Sequence, residues 1–263
     1  MSESSPNSSG KPTLEIDEAE WLARIGPKRH RLLCLWTKDV VGSMDAAIGK
    51  HIMPDSVALD AGCSRGEQDL PSILRAGHTV GCDVDMAGLR ANRLERDRVA
   101  ATLDALPFPD ATFHVIASKW VVEHLNNPVT TFREWWRVLR PGGVAAILTP
   151  NAMSVFGLVS RVIPHGVKQW VKERLFGGLK EDTFPTPYAA NTPSRLNAAM
   201  AAAGFVPLEF HMLAGMWAFF IFSDPIARMV RALERVQSGT PGLRATSAHM
   251  LGVWQKPLMA ESH

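Results

Sequence analysis

The apolar positions of this chain change their period near residue 55. Before it, hydrophobic residues recur at helical spacing in two segments, about Ile16 to Ile25 and about Arg29 to His51, and Pro54-Asp55 ends the pattern. After it, apolar runs of strand length alternate with stretches of helical character. SVALD is followed by EQDLPSILRAG, HTVGCDVD by MAGLRANRLERDR, and a short VAATLD closes the series. That rhythm predicts a parallel sheet covered by helices on both faces, a doubly wound α/β architecture.

The alternation resumes past a turn at LPFPDAT. FHVIASKW reads as a strand, and Asn127-Pro128 opens a helix through VTTFREWWRVLR, with proline in the first turn, where its missing N–H is harmless. Pro141 to Gly143 ends that helix, and VAAILTP has the continuous apolar character of a central strand. The rhythm then lapses from about 152 to 186, an expected helical insertion that mixes apolar faces with Arg161, Lys168, Lys172, Arg174 and Lys180. NTPSRLNAAMAAAGF returns to a helix, with Thr192 as N-cap, Pro193 at the first position and Gly204 as the stop. VPLEFHML and HMLGVWQKP suit a final antiparallel strand pair around a long helix from about Gly215 to Val236.

Composition narrows the class without naming a chemistry. A chain of 263 residues with 46% hydrophobic content can fill a substantial core. Lys and Arg total 28 against 26 Asp and Glu, a formal charge of +2, which points away from nucleic acid. Cys34, Cys63 and Cys82 are odd in number and without metal-ligand spacing, as expected of reduced thiols in a cytoplasmic protein. Residues 1–13 read as a disordered, Ser- and Pro-rich tail without a signal-peptide core. The longest apolar run, Met212 to Phe222, is too short to span a bilayer and reads as a buried helix. No transmembrane segment is expected.

The candidate chemistry starts at VALDAGCSRG. A parallel strand ending in Asp60-Ala61-Gly62 and turning through small residues into a helix would present backbone amides to a small charged ligand. The dinucleotide fingerprint would need glycines at 62, 64 and 67, where this chain has Gly62, Ser64 and Glu67, with a glycine at 66 instead. No Gly-Lys-Ser/Thr follows, so a P-loop fails as well.

LDAGCSRG is similar to motif I of the class I S-adenosylmethionine-dependent methyltransferases of the methyltransferase-11 type, an acid followed by G-x-G-x-G. VGCDVDMAGL resembles that family's second strand, LDALPFPDATFHVI its D-A-x-x-L-P-F-x-D segment, and VVEHLNNP and VLRPGG its next loop and the turn before strand five. The resemblance covers about residues 55 to 151. It implies a Rossmann-like seven-stranded sheet, mostly parallel with an antiparallel C-terminal strand; with the periodicity before it, the chain divides into N-terminal helices at 14–54 and a methyltransferase domain expected at 55–263.

The resemblance also implies S-adenosyl-L-methionine as cofactor. It assigns Gly62, Ser64 and Gly66 to the loop beneath the amino acid moiety, and Asp60 to orienting that loop or meeting the amine through water. Asp83, preferred to Asp85 because it adjoins the apolar strand, would meet the ribose hydroxyls. Asp104 and the Ala105 amide would read the adenine edge. Trp120 would pack on adenine or line the core. Two departures stand out. Ser64 replaces the middle glycine, which suits a backbone that is not left-handed, and His114 replaces the usual aspartate, with an effect on packing rather than binding.

Methyl transfer needs a base only if the acceptor loses a proton. His124 is the first candidate base, with a loop-bonding histidine as the plain alternative; Tyr188, the only tyrosine, would close over the acceptor or pack at the surface, and His165 in the insertion is a third candidate. Some quinone-biosynthesis O-methyltransferases carry a metal on a similar E-x-x-E-H segment, but Trp120 occupies its first acidic position here, so no metal is expected. The expected acceptor is a small molecule of secondary-metabolite, glycan or lipid-related metabolism, amphipathic or lipid-linked, methylated at oxygen. The alternatives are a protein that binds the cofactor without turnover and an NAD(P)-dependent oxidoreductase.

Overall fold

The computed structural model describes residues 18–66, 70–94, 97–154, 157, 185–220 and 223–258, with side chains from residue 31. The N-terminal tail, His165 and the five basic residues of the insertion lie outside them. The strands are β1 (Val57–Ala61), β2 (His78–Asp83), β3 (Asp97–Ala100), β4 (Phe113–Lys119), β5 (Leu139–Pro150), β6 (Val206–Leu213) and β7 (His249–Gln255). They form one seven-stranded sheet in the order β3-β2-β1-β4-β5-β7-β6. All neighbours are parallel except β7, which runs antiparallel to both β5 and β6. The order reverses between β1 and β4, the point at which such sheets bind ligands outside the strands' carboxyl ends.

The helices are α1 (Glu18–Gly49), α2 (Met86–Ala91), α3 (Pro128–Val138), α4 (Pro193–Ala202), α5 (Asp224–Gly239) and α6 (Pro241–Arg244). Strand side chains alternate between two apolar layers. Val40, Val41, Met44 and Ile48 of α1 pack with Ala58, Val115, Ala117, Leu148, Leu251 and Val253 on one face. Phe132, Trp135 and Val138 of α3 and Leu196 and Met200 of α4 pack with Leu59, Ile116, Ile147, Met250 and Trp254 on the other. Because successive strand residues point to opposite faces, the apolar runs of β4 and β5 serve both layers at once. Among the described residues no helix is long and apolar enough to cross a membrane.

Several local expectations are corrected. The two N-terminal helices are a single helix, since Pro27 removes one amide donor without ending the periodic pattern. After β1 the described residues from Leu70 to Gly77 contain only a 3-10 turn, Ile73–Arg75, because Pro71 leaves little room for an α-helix before β2. The helix after β2 stops at Ala91, where Asn92 turns its side chain onto the Leu94 amide. β5 begins at Leu139, before the Pro-Gly-Gly turn, with a register irregularity opposite Phe113 to Val115. The expected helix from 215 to 236 is a 3-10 turn, Met216–Phe220, followed by α5, whose second residue is Pro225. The apolar run from Met212 is thus shared between the end of β6 and that turn rather than forming one buried helix.

Buried polar groups join these pieces. Lys256 donates to the Trp136 and Leu139 carbonyls at 2.8 Å each and lies over the Trp136 ring, a cation on the carbonyl end of α3. Glu234 of α5 accepts from the amides of Gly215 (2.9 Å), Met216 (2.8 Å) and Trp217 (3.3 Å) and so caps the 3-10 turn from outside it. His114 accepts from the Val57 amide at 2.9 Å, a link between β4 and β1.

His249, at the start of β7, packs its ring against Trp36 and Trp120, and both of its ring nitrogens lack a partner. Burial pushes its imidazole down to about 4. In the unfolded chain it takes a proton near 6.5, so the folded state loses stability as pH falls from 6.5 to 4. That loss amounts to roughly 3 kcal/mol. Urea unfolding at pH 7 and at pH 4 should show a smaller loss by about that amount in His249→Leu than in the parent. Equal losses would mean that His249 is protonated in the folded state.

Candidate active site

Asp60, Gly62, Asp83, Trp120 and His124 all lie at or just beyond the carboxyl ends of β1, β2 and β4, on one edge of the sheet. The chain closes tightly after β1. Gly62 has φ +87°, and a Cβ there would lie 2.2 Å from Val121 Cγ2; Gly66 has φ +72°, and a Cβ there would lie 2.4 Å from Asn92 Oδ1. Only glycine allows both approaches. Ser64 is also left-handed, at φ +42°, contrary to the sequence expectation. Its conformation is held from both sides: its amide donates to Asp83 Oδ2 at 2.8 Å, and its carbonyl accepts from Asn92 at 3.3 Å.

Four amides of the described loop are engaged within the protein. Gly62 and Cys63 donate to the Cys82 carbonyl, Gly66 donates to Cys63, and Ser64 donates to Asp83. The helix N-terminus expected after the loop falls on residues 67–69, outside the described residues, and the described part of the loop is shaped for close approach. Cys82 beneath it is buried, and burial pushes its thiol up to about 11. Cys63 is buried as well, and Cys34 is exposed.

Asp83 ends β2 with both carboxylate oxygens directed at backbone, Oδ2 to Ser64 and Oδ1 to the Asp85 amide at 2.8 Å. Each oxygen keeps a lone pair for a further donor. Asp85 instead caps α2 through the Ala87 amide at 2.9 Å, which separates the two rivals by role. Asp104 is exposed and accepts no hydrogen bond from the described residues. The Ala105 amide donates to the Thr102 carbonyl at 3.2 Å, so the expected free donor is used within the turn. Trp120, left-handed at φ +59°, stacks on Trp36 with ring centroids 6.0 Å apart. Its ring lines the core beneath α1.

The candidate catalytic residues, 64 positions apart in sequence, are brought together. His124 Nδ1 lies 3.0 Å from the Pro185 carbonyl, and the Tyr188 amide donates to the Glu123 carbonyl at 3.2 Å. Tyr188 is itself left-handed at φ +52°. Ser64, Trp120 and Tyr188 are three of the four non-glycine residues with positive φ among the described residues, a concentration of backbone strain at one edge of the sheet.

Beside this junction lies a buried chain that the residue pattern did not reveal. Asn191 donates to Thr149 Oγ1 at 2.7 Å, and Thr149 donates to Glu123 Oε2 at 3.0 Å. Burial, the largest cause, holds the Glu123 carboxyl above the usual carboxylate range. Asn191 Oδ1 is buried without a partner.

Residues 59–147 match a family model described as a methyltransferase domain. Over that segment the chain is similar to class I S-adenosylmethionine-dependent methyltransferase domains. Among curated proteins, it is 38% identical over 100 residues to a "Probable S-adenosylmethionine-dependent methyltransferase" of Mycolicibacterium smegmatis, covering 36% of this chain and 38% of that one. It is 29% identical over 152 residues to the ubiquinone biosynthesis O-methyltransferase of Ruegeria pomeroyi, covering 52% and 61%. The chain thus spans less than two thirds of either relative. Among solved structures, geranyl diphosphate C-methyltransferase from Streptomyces coelicolor A3(2) aligns at TM-score 0.54 and 16% identity, covering 82% of this chain and 77% of that one. That likeness is one of fold.

The name of the Mycolicibacterium relative makes S-adenosylmethionine that protein's cosubstrate. The sheet edge described above fits that molecule chemically: a glycine-bounded close approach after β1, a carboxylate with spare lone pairs after β2 and an open carboxylate after β3 match an amino acid moiety, a diol and an exocyclic amine. Asn92, which supports the loop, was hidden in sequence because the helical pattern of MAGLRANRLERDR runs through it. Thr149 and Asn191 were hidden because each adjoins an element whose boundary signals explain it without a site.

Proposed function

We propose that the chain transfers a methyl group from S-adenosyl-L-methionine to a hydroxyl oxygen of a small, largely apolar acceptor, in the class of quinone precursors and other lipid-linked or secondary-metabolite phenols. The observation that carries this reading is the placement of His124. A carbonyl can only accept, so the contact with Pro185 makes Nδ1 the donor and fixes the ring at this edge of the sheet. An imidazole held there is suited to taking a hydroxyl proton. The name of the Ruegeria relative, an O-methyltransferase of ubiquinone biosynthesis, supports the acceptor class.

In this reading Gly62, Ser64 and Gly66 shape the floor under the amino acid moiety, with Asp60 facing its amine. Asp83 accepts from the ribose hydroxyls and Asp104 from the adenine amine. Bound S-adenosyl-L-methionine supplies an electrophilic methyl group. His124 takes the acceptor's proton, and Tyr188 covers the acceptor and excludes water, which strengthens the alignment that an in-line displacement needs. The Glu123 chain holds the segment that carries His124.

Calorimetric titration with S-adenosylmethionine, S-adenosylhomocysteine and NAD tests the cofactor half: the first two should bind and NAD should not. For the acceptor half, His124→Gln keeps a donor for Pro185 but not the base. Turnover of a prenylated catechol should fall by roughly a hundredfold or more, with S-adenosylhomocysteine affinity within about twofold of the parent. Undiminished turnover would leave His124 as a loop tie only.

A further inference from the structure

We propose that α5 and α6 form a docking face for an anionic membrane surface. Ile226, Met229, Leu233 and Val236 follow one another at helical spacing and are 37%, 56%, 62% and 66% exposed, and Leu243 of α6 extends the series at 50%. The opposite side of α5 is already engaged. Ala227 and Glu234 are buried, Glu234 holds the 3-10 turn, and Arg231 pairs with Asp39 at 3.1 Å and lies over the Trp217 ring. The helix is therefore fastened by its inner side, and the outer apolar stripe is not needed for that attachment.

The charges beside the stripe identify its occupant. Arg228 and Arg235 are exposed along the next row of α5, and Arg244 is exposed on α6. The only acids between 224 and 244 are Asp224, in the first turn, and the buried Glu234. An apolar stripe bordered by arginines is the pattern of a helix lying in a headgroup layer. A second copy of the chain fits less well, because like arginines would be brought together. The stripe also opens at most a few hundred Å² of apolar surface, short of the roughly 800 Å² per partner of a standard interface.

The location gives the surface a use. β6 ends and β7 begins at the carboxyl edge of the sheet, and α5 and α6 lie between them in the chain. Docking through α5 would bring that edge to the bilayer, where an amphipathic acceptor resides. The inference goes beyond the cofactor and base assignments, and its test is independent of theirs.

Co-sedimentation of the full chain with vesicles of phosphatidylcholine and of equimolar phosphatidylcholine and phosphatidylglycerol provides the test. Binding to the anionic vesicles and release by salt are expected. Leu233→Ser/Val236→Ser should lower partitioning roughly tenfold, and Arg228→Glu/Arg235→Glu by more than about tenfold. Both variants should keep the parent's circular dichroism and S-adenosylhomocysteine affinity. The proposal is overturned if the full chain stays in solution with anionic vesicles at low salt. It is equally overturned if Leu233→Ser/Val236→Ser binds vesicles as the parent does. A dimer in sedimentation equilibrium that this variant abolishes, with no vesicle binding by the parent, would make the face an interface between copies instead.

Discussion

Asp83→Ala should weaken S-adenosylhomocysteine binding by about a hundredfold, which corresponds to about 3 kcal/mol. The carboxylate acts twice. It holds the left-handed Ser64 through one oxygen and the Asp85 turn through the other, each at 2.8 Å, and in the proposed reading its remaining lone pairs meet the ribose hydroxyls. Hydrogen bonds to a charged group are worth about 1.5–3 kcal/mol each, so losing the ligand's share and loosening the loop together reach that size. Asp83→Asn separates the two effects, because the amide keeps one acceptor but turns a donor toward the other N–H. It should bind with intermediate affinity. Calorimetry on both variants, with thermal unfolding to verify the fold, checks this; a folded Asp83→Ala protein with the parent's affinity would remove Asp83 from the cofactor site.

Glu234→Ala should destabilise the fold by about 3–5 kcal/mol. Three amides converge on this carboxylate, at Gly215, Met216 and Trp217, and the side chain is 1% exposed. Alanine would leave all three donors unsatisfied in a region where Gly215 is crowded: a Cβ there would lie 2.8 Å from Trp36 Nε1 and 3.0 Å from His249 Nε2. The same turn places Trp217 and Ala218 against Leu32, Leu33, Leu35 and Trp36 of α1, so the loss extends to the seat of that helix. Glu234→Gln retains a carbonyl oxygen and should recover part of the loss. Urea unfolding at pH 7 measures both. A loss below about 1 kcal/mol in Glu234→Ala would mean that the amides find another acceptor.

The parts of the site legible in sequence were those whose chemistry is local. A strand ending in Asp-Ala-Gly, a second strand ending in an acid and an Asn-Pro helix start each depend on neighbouring residues, and each stands in the structure where the pattern placed it. Local rules failed where two distant segments compete for the same groups. The amides of Gly62 to Ser64 look open in a linear reading, but Cys82 and Asp83 of β2 lie beside them once β1 and β2 pair. The left-handed Ser64 was unexpected for a related reason: its strain is offset by partners 19 and 28 residues away.

Helix lengths were misjudged where a side chain found a tertiary partner. Asn92 ends α2 early while bonding Ser64, and Pro225 begins a new helix whose Glu234 reaches back to cap the turn before it. By itself, the sequence determined the class of sheet, the order of its elements and the acids along its carboxyl edge, because strand and helix periodicity and turn residues act over a few positions. Only the tertiary structure decided which amides are engaged, that Trp120 faces α1, that His124 meets Pro185, and that one side of α5 exposes its apolar side chains. Those outcomes depend on the burial and pairing of groups far apart in the chain, which no local pattern encodes.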